Sequence, residues 1–144
     1  MASLSVVDTT PTLYHDPASA ESEFALEALQ LGCRHVEVRR IDLPSSAPSA
    51  AELERLAARL IGDPVDALVR RGARYERLGL QLDGADQATV LDVLAAHPEL
   101  LQVPLLDDGR DVMIGQPLER AEVWAITGKA ADALKSRVSV LRAA

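Results

Sequence analysis

Aromatic residues are scarce in this 144-residue chain, which holds one Phe, one Trp and two Tyr. The core must therefore be aliphatic, and a stacking platform for single-stranded nucleic acid has too few rings to form. Cysteine is scarcer still: the lone Cys33 cannot close an internal disulfide. One cysteine and three scattered histidines show no metal-ligand spacing. No apolar run approaches the length of a membrane span. Residues 1–8 lack the basic stretch and apolar run of a signal peptide. Neither a phosphate-cradling glycine loop nor a GxSxG elbow is present. Positive charge is in deficit, with 15 basic against 22 acidic residues and a net charge of −7, which opposes nonspecific attraction to phosphate backbones. These absences fit a protein of the reducing cytoplasm, with no membrane or direct nucleic-acid partner expected.

What remains is a globular composition, 48% hydrophobic and 26% charged, of a length that suits one domain. Residues 1–11 are small and polar and read as a lead-in. Thr12-Leu13-Tyr14-His15 is a short β-prone run stopped by the turn pair Asp16-Pro17. A helix is expected from near Ser19 to Gly32, with Phe24, Ala28 and Leu31 on one face. Residues 35–43 read as a second strand, in which Val36 and Val38 alternate. Strand, helix and strand in this order imply a parallel pair.

After the linker Pro44-Ser45-Ser46-Ala47-Pro48, Ser49 and Glu52 form a capping-box pattern. Leu53, Leu56, Ala57, Leu60 and Ile61 supply the apolar stripe of the helix that follows. Residues 63–71 are expected to form a short helix. Residues 86–97 form a longer one, with Val90, Val93, Leu94 and His97 near one face and Pro98 as its stop. Strand character returns at 104–107, Asp108-Gly109 signals a hairpin, and 111–114 is the return strand. Gln116-Pro117 opens a last helix carrying Leu118, Ala121 and Ala125 on one side, and Gly128 punctuates it. Residues 128–144 form a tail in which Ala130, Leu134 and Leu141 recur at roughly helical spacing. The order βαβ, helices, β-hairpin, helix predicts an α/β protein of thioredoxin-like topology with a mixed four-stranded sheet. One domain over 12–127 would then carry a helical insertion at about 44–98.

The string Leu13-Tyr14-His15-Asp16-Pro17-Ala18-Ser19 resembles the opening of the glutaredoxin-coupled arsenate reductases and their relative, the transcription regulator Spx. Three further segments resemble that family in order and near its spacing. They are Ala67-Leu68-Val69-Arg70-Arg71 with Tyr75-Glu76-Arg77-Leu78-Gly79-Leu80, His97-Pro98-Glu99-Leu100 with Val103-Pro104, and Ile114-Gly115-Gln116-Pro117. The resemblance implies a thioredoxin-like fold with a cis proline at Pro104. It also implies a catalytic position at Ser19 and binding positions at His15, Arg70, Pro104 and Gln116.

At those positions the chain departs from the family. The resemblance implies a nucleophilic cysteine where Ser19 stands, and in Spx-type members a second where Ser22 stands. A serine hydroxyl cannot form the mixed disulfide on which reductase turnover depends. Of the family's oxyanion-binding arginines Arg70 matches one, whereas Val103 and Gln116 occupy the places of two others. Glu21 and Glu23 in the first helical turn satisfy the helix dipole and repel an incoming anion.

Each of these residues also has a plain reading. Ser19 is a preferred N-cap whatever the function. His15 is as compatible with a hydrogen-bonded structural role as with a site, and His97 fits a helix C-terminus. Arg70 and Arg71 suit a solvated salt-bridged face, a retained anion contact or a partner-recognition element. Cys33 reads as a small buried hydrophobe. The expectation is a binding or regulatory module that has lost the redox cysteine, needs no cofactor and meets a protein partner, as Spx meets RNA polymerase. The competing expectation is a divergent arsenate reductase-like or glutathione-dependent oxidoreductase, for which glutathione or glutaredoxin would be the partner.

Overall fold

A computed structural model describes residues 10–31, 35–116 and 118–122 of the chain. Four strands form one sheet in the order β2-β1-β3-β4. Strand β1 (Thr12–His15) runs parallel to β2 (Glu37–Arg40) and antiparallel to β3 (Leu105–Asp107), and β3 pairs antiparallel with β4 (Val112–Ile114). The mixed sheet and its α/β order are those the sequence predicts. The Val103–Pro104 peptide bond is cis, as the family resemblance implies.

Side-chain alternation divides the core into two layers. Leu13 and Leu106, paired across β1 and β3, face one side and pack with Phe24, Ala25, Ala28, Leu29 and Ala121. Those residues come from helix α1 (Ala20–Leu31) and helix α5 (Leu118–Glu122). Tyr14, Leu105 and Ile114 face the other side. There they meet Leu53 and Leu56 of α2 (Ala50–Arg59), Tyr75 of α3 (Ala73–Arg77), and Val90 and Leu94 of α4 (Gln87–Ala96). None of the described helices is long and apolar enough to cross a membrane.

Local chemistry sets the helix ends. Ser49 accepts from the Glu52 amide while the Glu52 side chain accepts from the Ser49 amide, which is the predicted capping box. Asp86 caps α4 by accepting from the Thr89 amide at 2.9 Å. Helix α4 ends at His97, before Pro98, where proline cannot continue the ladder. At the hairpin, Gly109 takes φ +95°, a conformation open to glycine at little cost.

Several expectations are corrected. Leu31 is 42% exposed, because the buried stripe of α1 follows the pairs 24/28 and 25/29 and leaves Leu31 on its flank. The second strand covers only 37–40, and Val38 lies on a sheet edge, 42% exposed. Helix α2 stops at Arg59, so Leu60 and Ile61 leave its stripe and run beside β4, with the Ile61 amide donating to Val112 O at 3.0 Å. Within 63–71 only Val65–Leu68 is helical, as a 3-10 turn. Residues beyond it pair with the chain before the cis proline instead: Val69 bridges Leu101, and the Gln102 amide donates to Leu68 O. The helix α3 spans only five residues, too few to leave an amphipathic period in the sequence. Gly32, Cys33, Pro117, Ala125, Gly128 and the tail fall outside the described residues, as do the side chain of Leu118 and everything read there.

One polar cluster ties the sheet edge to α2. Arg39 donates to both Glu52 carboxylate oxygens, at 2.7 and 3.2 Å, and to Ser46 O, while its guanidinium stacks over the Tyr14 ring at 5.6 Å. The Tyr14 hydroxyl donates to the same carboxylate at 3.4 Å. Arg39 holds the Glu52 carboxyl below its ordinary range, and burial, aided by Glu52, pushes the Tyr14 phenol up to about 12. Glu52→Gln should therefore cost about 1–2 kcal/mol at neutral pH. A lowered carboxyl pKa contributes above the unfolded-chain value and is lost as pH falls through the folded one. The gap between parent and variant should accordingly narrow between pH 5 and pH 3 in urea unfolding; a pH-independent gap would contradict this ion-pair account.

Candidate functional site

The turn between β1 and α1 is built around three side chains from one short stretch. Asp16 accepts from the Ala18 amide through Oδ1 at 2.9 Å, and its carbonyl accepts from the Ser19 amide at 3.0 Å. Ser19 then caps α1: its Oγ accepts from the Ser22 amide at 3.2 Å and its carbonyl accepts from the Glu23 amide. The Ser19 hydroxyl donates to Glu21 Oε1 at 3.3 Å. Ser22 is fully buried, and its Oγ accepts from the Asp16 amide at 3.1 Å.

His15 joins the turn from the end of β1 and is buried, with 3% of its surface exposed. Its Nδ1 lies 2.6 Å from Ser22 Oγ and its Nε2 lies 3.0 Å from Glu23 Oε2. A carboxylate only accepts, so Nε2 must carry hydrogen. In the neutral ring Nδ1 then accepts from the Ser22 hydroxyl. The resulting chain runs Asp16 N–H to Ser22 Oγ, Ser22 O–H to His15 Nδ1, and His15 Nε2–H to Glu23. This is a Ser–His–carboxylate sequence, but its serine is enclosed and its hydroxyl is committed. It can hold the turn; it offers no exposed nucleophile.

Arg70 reaches the same turn from far along the chain. Its Nη1 donates to Asp16 Oδ2 at 3.1 Å. Its own strand-like segment is fixed by the Arg70 amide donating to Leu100 O and by the Val69–Leu101 bridge. Its Nε and Nη2 are buried and have no hydrogen-bond partner. Arg71, by contrast, is a surface clamp: it pairs with Asp66 and Asp83 and stacks over Tyr75 at 5.0 Å.

The cis-proline corner stands beside the turn. Tyr14 pairs with Leu105, so Pro104, which precedes Leu105, lies at the end of the sheet where β1 delivers His15. Gln116 donates from Nε2 to Val103 O at 2.8 Å, and the Gly115 amide donates to Pro104 O at 2.8 Å. Gln116 thus braces the backbone before the proline. His15, Ser19 and Arg70 meet through Asp16 and Ser22, while Pro104 and Gln116 form an adjoining corner. His97 lies 3.5 Å from Glu99, at the end of α4.

Sequence reasoning treated Asp16 only as a turn residue and Glu23 only as a dipole-satisfying carboxylate. Neither the Asp16–Arg70 ion pair nor the Glu23–His15 contact carries a local signal, since each depends on where other elements bring the partner. Among the described residues no group of His, Cys, Asp and Glu is arranged to hold a metal. An apolar groove of about 480 Å³ opens at the β4 edge, lined by Ile61, Gly62, Met113, Ile114 and neighbouring charges. It includes none of the turn residues, so the chemistry of the turn rather than the size of a hollow marks the candidate site.

Known proteins share this chain's sequence and fold. The chain is 29% identical over 112 residues to an arsenate reductase of Neisseria meningitidis, spanning 76% of this chain and 93% of that protein. It is 33% identical over 96 residues to an arsenate reductase of Acidiphilium multivorum, spanning 66% of each. Among solved structures, an arsenate reductase from Vibrio cholerae superposes with a TM-score of 0.68 over 82% of this chain and 98% of that one, at 24% identity. The model of the ArsC family matches residues 14–123, from the strand before the turn past the cis-proline corner. This chain belongs to the ArsC family.

Proposed function

We propose that this ArsC-family protein carries out no thiol redox chemistry at its turn and serves as a cytoplasmic binding or regulatory module for a protein partner. The observation that carries the reading is the state of Ser19: a hydroxyl stands where a thiol would be needed, its Oγ caps α1, and its hydrogen is given to Glu21. A serine so placed cannot form or resolve a mixed disulfide. The surrounding charges support the same reading, because Glu21 and Glu23 crowd the helix start and Gln116 is spent on Val103.

The test is a glutathione- and glutaredoxin-coupled arsenate reduction assay on the purified chain, run beside an active family reductase. Turnover at the background rate is the expected result, for the chain and for Ser19→Ala alike. Arsenate-dependent consumption of reductant that Ser19→Ala abolishes would overturn the proposal. It would establish instead the oxidoreductase reading that the relatives' names suggest.

A further inference from the structure

We infer that the outer edge of β2 is a self-association surface, on which a second copy of this chain adds its own β2 antiparallel and extends the sheet across a two-fold axis. Strand β2 ends the sheet and pairs only with β1. The opposite end is partly closed, since Leu60 bridges Val112 and the Ile61 amide donates to Val112 O. Beside β2, no described residue plays that part. The amides of Glu37 and Ile41 donate inward, to Pro11 O and His15 O. Peptide groups alternate in direction along a strand, so Val36, Val38 and Arg40 turn theirs outward. The Arg40 carbonyl accepts from the Leu43 amide, while the Arg40 N–H and both groups of Val38 have no partner among the described residues.

Charges on an edge strand usually deter pairing, so the order Glu37-Val38-Arg39-Arg40 decides which partner this edge admits. Across an antiparallel pair, like charges directly opposite repel and unlike charges attract. A two-fold pairing centred on Glu37, Arg39 or Arg40 sets that charge against its own copy. Centred on Val38, it sets Val38 against Val38, and Glu37 against Arg39 of the second copy, once on each flank. The outward groups then coincide: Val38 exchanges both hydrogen bonds with its copy, and the Arg40 N–H meets the Val36 carbonyl. The side chains are free to follow. Glu37 is exposed and has no ion-pair partner among the described residues. Nη1 of Arg39 donates only to Glu52, which leaves a hydrogen for a second carboxylate. Val38, 42% exposed, is an apolar side chain that the pairing covers. Four residues a side bury much less than the ~1,600 Å² of a standard interface, so the dimer is weak and forms as concentration rises.

The test is sedimentation of the full chain over a concentration series, paired with amide hydrogen exchange. A monomer–dimer equilibrium that weakens with added salt is the expected result, because the flanking ion pairs lie at the surface. Val38→Lys sets two ammonium groups face to face at the centre and should raise the dissociation constant by about ten-fold or more. In the parent, exchange at the Val38 and Arg40 amides should slow as concentration rises. The Arg39 and Ile41 amides, which face β1, should be protected at every concentration. A chain that stays monomeric throughout would overturn the proposal, whether or not another protein covers this edge. So would a dimer untouched by Val38→Lys, or exchange at Val38 and Arg40 that ignores concentration. Should Val38→Lys fail to fold, Glu37→Lys, which faces Arg39 of the second copy, carries the same comparison. Neither arsenate nor reductant enters this measurement, so its outcome is separate from that of the arsenate assay.

Discussion

Phe24→Ala should destabilise the protein by about 3–5 kcal/mol, the range for emptying an aromatic side chain from a packed core. Phe24 is the only phenylalanine in the chain and is essentially fully buried. Around it stand Leu13, Leu29 and Leu106 together with three alanines, Ala25, Ala28 and Ala121. Methyl side chains cannot swing into the vacated space, so the hole persists instead of collapsing, and the loss should fall in the upper half of that range. Against a total stability of about 5–15 kcal/mol this is a large fraction. Urea unfolding should show a lower midpoint at an unchanged slope. Phe24→Leu, which keeps most of the volume, should recover at least half of the loss. A deficit under about 1.5 kcal/mol for Phe24→Ala would mean that the α1–α5 layer closes over the cavity, contrary to this packing.

Ser22→Ala should remove about 2–4 kcal/mol, although it deletes only one oxygen. That oxygen is fully buried and serves two groups, accepting from the Asp16 amide at 3.1 Å and bonding His15 Nδ1 at 2.6 Å. Deleting it strands a buried donor and a buried acceptor together, and each unsatisfied group costs about 1–3 kcal/mol. The cost should appear in unfolding. The cause should appear in nitrogen NMR of His15, whose Nε2 carries hydrogen in the parent because Glu23 accepts there. Loss of the Ser22 bond should shift the Nδ1 resonance while the Nε2–H remains. A Ser22→Ala protein as stable as the parent, with an unshifted ring, would show that the turn does not depend on this network.

The two effects belong to one element. Helix α1 is fastened to the sheet by Phe24 on its inner face and to the end of β1 by Ser22 at its start. Its first residue therefore sits at a fixed place beside the cis-proline corner. These two fastenings together hold the turn in its shape.

Much of this was legible in the residues themselves. The capping box at Ser49 and Glu52, the stop at Pro98 and the hairpin at Asp108-Gly109 are local devices whose partners lie within a few positions, so sequence alone determines them. The same holds for the order of the four strands, and for the fact that Ser19 is a hydroxyl and not a thiol. No tertiary contact can give that position redox chemistry.

Other features were settled only by the fold. Leu31, Val38 and Ile61 look like core residues by type and period, yet they are exposed because a helix flank, a sheet edge and a helix end place them there. Glu52 reads as a cap and proves also to anchor Arg39 and Tyr14. Asp16 and Arg70 stand 54 positions apart and meet only because the segment at 68–70 pairs with 100–102 and is carried to the end of β1. Hydrophobic period and capping act over a few residues and are written in the chain. Which charge faces which across the sheet depends on the packing of several elements at once, and only the tertiary structure decides it.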